Sequence, residues 1–167
     1  MEGFTTKKQQ FATVWKMHTA GDAQWYPAQV PGTVYTDLLR NGQMEDPFWK
    51  DNEYRALDLM EKDYEYETAF EGTEAQEGER QWLRFEGLDT ICDIYLNEEK
   101  IGNTYNMHRT WELDVTGKVK AGENILRVYF HSPLEYIKEA YEKQQAEKTE
   151  KLQENPEEIK QEEINDK

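Results

Sequence analysis

Five stretches of two-residue alternation constrain this chain more than any other feature. Asp63 to Phe70 reads DYEYETAF, with Tyr64, Tyr66, Thr68 and Phe70 on one side and charges between them. Gln81 to Glu86 (QWLRFE) sets Leu83 and Phe85 against Trp82 and Arg84. Ile91 to Asn97 (ICDIYLN) sets Cys92, Ile94 and Leu96 against Asp93, Tyr95 and Asn97. Arg109 to Val115 (RTWELDV) is a fourth such run. Asn124 to His131 (NILRVYFH) is the fifth, with Leu126, Val128 and Phe130 opposing Arg127 and Tyr129. Successive side chains point to opposite faces only in an extended chain, so these runs predict half-buried β-strands. Polar segments with turn chemistry separate them: Asn97 to Lys100 resembles a hairpin tip, and Asp114 to Gly117 and Lys120 to Glu123 carry glycines. One short helix is expected after Thr33, whose hydroxyl can cap it. Val34, Leu38 and Leu39 form its apolar stripe, and Gly42 can end it. Met44 to Leu57 follows as a long stretch without a clean period and reads as a loop. Several antiparallel strands, few helices and no βαβ alternation argue for an all-β fold, a jelly-roll β-sandwich.

The sandwich is expected over residues 1–135. The aromatic residues mark where it stops, since all five Trp and all six Phe precede residue 136. Residues 136–167 hold 10 acidic and 6 basic side chains and read as an acidic polar helix running into a disordered tail. Ile137 and Tyr141, four apart, could seat one helical turn on the body.

The whole chain of 167 residues carries 35 acidic and 20 basic groups, a formal net charge of −15. That balance argues against nucleic acid and against anionic membrane surfaces as partners. No run approaches the ~18 apolar residues of a membrane span. The N-terminal segment has no apolar stretch after its lysines and does not read as a secretory signal. Cys92 is the single cysteine, so no intrachain disulfide can form, and it reads as a small buried hydrophobe. A reducing, cytoplasmic setting fits that usage.

Phosphate-binding and dinucleotide-binding glycine motifs are absent, as are HExxH and GxSxG, so no cofactor is expected. His18, His108 and His131 lie too far apart to form a local metal motif, and His131 reads as a hydrogen-bonded structural residue. Asp93, in mid-strand, reads as a solvent-face carboxylate or one paired with Arg84. The best candidate for recognition is Asp46 to Glu53, DPFWKDNE. Sugars are held by aromatic faces and by carboxylate or amide groups that bridge hydroxyls. Trp49, Asp51, Asn52 and Glu53 supply that mixture. The plainer alternative is a loop pinned to its own domain by Phe48 and Trp49.

The strings PAQVPGTVYTDLLRNG, EDPFWKDNE, DYEYETAF, LRFEGLDTICDIYLN, IGNTYNMHRTWELDVT and GENILRVYFHSPL, in this order, resemble the N-terminal domain of the β-mannosidases of glycoside hydrolase family 2. The resemblance spans roughly residues 11–137. It implies a jelly roll similar to galactose-binding domains, in agreement with the strand pattern. It also implies an architecture in which an immunoglobulin-like sandwich and a (β/α)₈ barrel follow. The barrel carries the two catalytic glutamates and removes terminal β-D-mannose with retention. This chain runs to Lys167 without barrel sequence and without the family's FGWDWGP-type segment. Its expected role is therefore non-catalytic, with no residue assigned to catalysis and no hydrolysis by the chain alone. The resemblance places the Trp49 to Glu53 loop at the rim of the barrel's active site. Asn52 and Glu53 would be polar contacts there and Trp49 a packing anchor. The expected partners are the barrel and immunoglobulin-like domains of the same enzyme, and β-mannosides. Two other readings stay open: a free carbohydrate-binding module, and a scaffold whose acidic helix recruits a partner.

Overall fold

A computed structural model describes residues 6–10 and 13–154. Within it the five alternating runs become strands, and three further strands join them. A six-stranded antiparallel sheet has the order β2 (Tyr26–Ala28), β1 (Trp15–Thr19), β3 (Tyr64–Gly72), β8 (Gly122–Phe130), β5 (Cys92–Leu96), β6 (Glu99–Thr104). A second sheet pairs β4 (Trp82–Phe85) with β7 (Trp111–Asp114). Register aligns the apolar residues across the large sheet. Tyr66 lies opposite Met17 and Val128, and Val128 lies opposite Ile94. Thr68 and Leu96 both flank Leu126. One face is thereby made continuous and buried, as two-residue periodicity requires.

That face is covered in two parts. Over β5 and β8, Leu83, Val115 and Val119 join Cys92, Ile94, Leu96, Leu126 and Val128 in one apolar cluster. Gly102 on β6 permits this approach, because a Cβ there would meet Leu113 of the small sheet at 2.9 Å. Over β1 and β3, helices α1 (Val34–Arg40) and α2 (Asn52–Met60) supply the lid, and Leu38, Met44 and Ala56 pack with Met17, Tyr64 and Tyr66. Helix α1 is capped as expected. The Thr33 hydroxyl accepts from Thr36 N–H, and the Thr36 hydroxyl accepts from Thr33 N–H in return.

Helix α2 departs from the sequence reading, which made Met44 to Leu57 a loop. Its core-facing side is carried by Ala56 with partly buried Leu59 and Met60, too sparse a stripe to stand out as a period. The β5–β6 hairpin turns at Asn97 and Glu98 with φ of 50° and 70°, the paired left-handed conformation that tight hairpins need. Asn124, fully buried, ties this end together. Its amide donates to the carbonyls of Lys120 and Gly122, and its oxygen accepts from Lys120 N–H and the Asn97 amide.

The sandwich ends as a compact unit at Ser132, and a second unit begins at Pro133. Within the latter, α3 (Pro133–Glu154) is a 22-residue helix with an i,i+3 pair between Lys138 and Glu135. The expected tail beyond Glu154 lies outside the described residues. No helix among those described is long and apolar enough to cross a membrane.

Candidate functional site

The Asp46 to Glu53 segment is tied down by its backbone and its polar side chains. The Asp46 carboxylate accepts from Phe48 N–H at 2.9 Å, and the Asp46 carbonyl accepts from Trp49 N–H at 3.1 Å. The Asn52 amide donates to the same carbonyl at 3.0 Å. Lys50 takes a φ of 53°, left-handed for a residue with a Cβ, and reverses the chain into α2. Asp51 is the residue before the helix, and its side chain makes no capping hydrogen bond.

The aromatic residues do not pin this loop to the domain. Phe48 is 97% exposed and Trp49 65% exposed. The anchoring falls instead to Met44 before the loop and Ala56 after it, both buried. Tyr54 and Leu57, on the outer side of α2, are also exposed. A shallow cleft of about 300 Å³ lies alongside, lined by Gln43, Met44, Glu45, Asn52, Arg55 and Leu59 among others. An Arg55–Glu45 ion pair at 2.9 Å belongs to its wall. Of the four residues singled out in the sequence, Asn52 lines the cleft. Trp49, Asp51 and Glu53 do not. The cleft and the exposed aromatics are therefore two adjoining features of one loop–helix unit. Alternation and motif searches missed Arg55 and Glu45, because their meeting depends on α2 forming.

The buried ionisable groups are structural. Asp37 on α1 is fully buried yet has three partners: Gln29 N–H, the Arg40 guanidinium and the Tyr66 hydroxyl. The Tyr66 phenol is pushed strongly upward by burial and then by that carboxylate. Burial likewise pushes Tyr64 and the Cys92 thiol each up to about 12, so Cys92 is an inert core residue as expected. Asp93 does not pair with Arg84, which faces Glu112 and Glu86 on the other sheet. Its partners are Lys100 at 2.7 Å and His131 at 3.3 Å. Burial would raise the Asp93 carboxyl, but hydrogen bonds from Lys100 and His131 outweigh it and hold it below the usual range. Among the described residues no three His, Cys, Asp or Glu side chains are grouped to hold a metal ion.

A two-sheet sandwich with a loop–helix unit on one flank defines a galactose-binding-like module. The chain belongs to the glycosyl hydrolase 2 galactose-binding-domain-like family, whose sequence pattern it matches over residues 15–165. It is 35% identical to the β-mannosidase of Capra hircus over 135 residues, which cover 79% of this chain and 15% of the goat protein. It is 34% identical to the β-mannosidase of Bos taurus, covering 86% of this chain and 17% of that one. Among solved structures, the β-D-mannosidase of Dictyoglomus thermophilum superposes with a TM-score of 0.71 at 37% identity, over 76% of this chain and 16% of that one. The exo-chitosanase of Amycolatopsis orientalis shares the fold, with a TM-score of 0.61 at 22% identity. The chain thus spans about a sixth of the length of these relatives.

Proposed function

We propose that this chain serves as the non-catalytic N-terminal β-sandwich of a β-mannosidase-like glycoside hydrolase, and that its 46–53 loop meets the catalytic barrel beside the sugar pocket. In this reading the barrel, not the sandwich, supplies the two carboxyl groups that release terminal β-D-mannose with retention. The observation that carries the loop assignment is the exposure of Phe48 and Trp49 on a backbone held by Asp46 and Asn52. Large aromatics displayed on a fixed loop are what an interface anchor needs, since little ordering remains to be done when the partner arrives. Asn52 and Glu53, next along the chain, offer an amide and a carboxylate for hydrogen bonds to hydroxyl groups or to the partner's backbone. Asp51, free of a capping role, offers a third polar group there.

The test has two arms. An aryl β-mannoside is incubated with this chain alone and with the intact enzyme. Turnover is expected only from the intact enzyme, and hydrolysis by the chain alone would overturn the non-catalytic assignment. In the intact enzyme, Trp49→Ala is expected to lower kcat/KM about tenfold, the size of one lost anchor of ~1.4 kcal/mol. Unchanged kcat/KM together with unchanged stability would remove the loop from the active-site rim while leaving the first arm standing.

A further inference from the structure

Both ring nitrogens of His18 face acceptors. His18 lies on β1 with 8% of its surface exposed. Nδ1 is 2.7 Å from the carbonyl oxygen of Asp22, in the turn before β2. Nε2 is 3.3 Å from Glu65 Oε2 on β3. A carbonyl oxygen only accepts, so Nδ1 must carry hydrogen. A neutral ring would then aim the Nε2 lone pair at Glu65. That oxygen also faces the Arg127 guanidinium of β8 at 3.6 Å, as a carboxylate would. Two lone pairs opposed in a mostly buried site repel, whereas an N–H at Nε2 donates. Only the imidazolium satisfies both neighbours. The Trp25 ring stacks on the imidazole at 3.8 Å and 19°, offering a π face to the cation.

We propose that His18 is held as the doubly protonated imidazolium, and that this ion is a clasp that fastens the β1–β2 edge hairpin to β3. The other charged groups around it are already committed. Lys16, which lies over the Trp25 ring, pairs with Glu67 at 2.8 Å, and Arg127 lies over the Tyr95 ring beside Glu65. Tyr129, opposite Glu65 on β8, donates its hydroxyl to Asp63. Asp22 adds a carboxylate to the turn that supplies the carbonyl. Glu65 is therefore the anion that His18 meets.

The hairpin it secures leads through Gln29, whose N–H donates to Asp37, into α1 and the lid that carries the 46–53 loop. The clasp thus ties the edge of the sheet to the half of the sandwich that displays the site.

The state of the ring is read directly by ¹H–¹⁵N correlation of the histidine side chains in the full chain at about pH 7, where a free histidine is mostly neutral. Two protonated nitrogens are expected at His18, with His108 and His131 as references in the same spectrum. A bare nitrogen at His18 would overturn the proposal. Glu65→Gln removes the anion with little change in shape and is expected to return His18 to a single tautomer. A ring that stays doubly protonated in this variant would refute Glu65 as its partner. A second reading is thermal unfolding at about pH 7 of the parent chain, His18→Gln, Glu65→Gln and the double variant. His18→Gln is expected to melt about 3–6 °C lower than the parent, and the double variant to lose less than the sum of the two single losses. Fully additive losses would reduce His18 to a packing role.

Discussion

Over β5 and β8 the large sheet is covered by β4 and β7, and the join is aliphatic: Leu83, Leu88, Ile94, Leu96, Val115, Leu126 and Val128. Over β1 and β3 it is covered by α1 and α2, and there the buried set contains Met17, two tyrosines and the carboxylate of Asp37. The first half is secured chiefly by area removed from water, with Asn124, fully hydrogen-bonded, at its hairpin end. The second is secured by polar groups that must each find a partner, because leaving one unmet costs more than the bond gains. One sheet face is thus closed by two kinds of chemistry, and the half that displays the candidate site is the polar one.

Breaking the aliphatic half should give the largest effect. Leu126→Ala opens a cavity beneath both strands and is expected to cost about 4 kcal/mol in urea unfolding. Asp37→Ala breaks the polar half and is expected to cost about 3 kcal/mol by the same measurement, since the Tyr66 hydroxyl stays buried without its acceptor. A loss under about 0.5 kcal/mol there would show that the two halves do not differ as argued. Tyr66→Phe sharpens the point: one hydrogen bond is removed with its donor, and about 1 kcal/mol is expected.

Asp93→Asn probes the outer face of the same sheet through pH. Its folded carboxyl is held low, so its pairing with Lys100 and His131 contributes above about pH 4 and is lost as the pH falls through the folded value. The gap between parent and variant should therefore close in acid. Trp49→Ala should change the stability of this chain by no more than about 0.5 kcal/mol, because 65% of that residue is already exposed.

The aliphatic half was legible in the sequence because its strands alternate cleanly, and Leu83, Ile94 and Val128 fall where two-residue periodicity puts them. The polar half was less so. Strand β1 buries a histidine, and β2 has three residues including Pro27; at the other edge, beside β5, β6 was hidden as well, with polar residues on both sides. Asp37 did leave a trace, since it sits between Val34 and Leu38 on the apolar side of α1, where a charge needs buried partners. The aromatic and acidic character of the 46–53 loop could be read directly. That Phe48 and Trp49 point away from their own domain could not, because composition does not say which surface an aromatic ring will meet.

The uncovered Phe48 ring also governs how copies of this chain behave toward one another. At neutral pH a charge of −15 keeps molecules apart, and two bare aromatics on a rigid loop do no harm. Near the isoelectric point of about 4.6 that repulsion vanishes, and the loop becomes a sticky end. Mild acid would then remove the colloidal barrier between molecules that are still folded, so clouding and unfolding of this domain should part company as the pH is lowered.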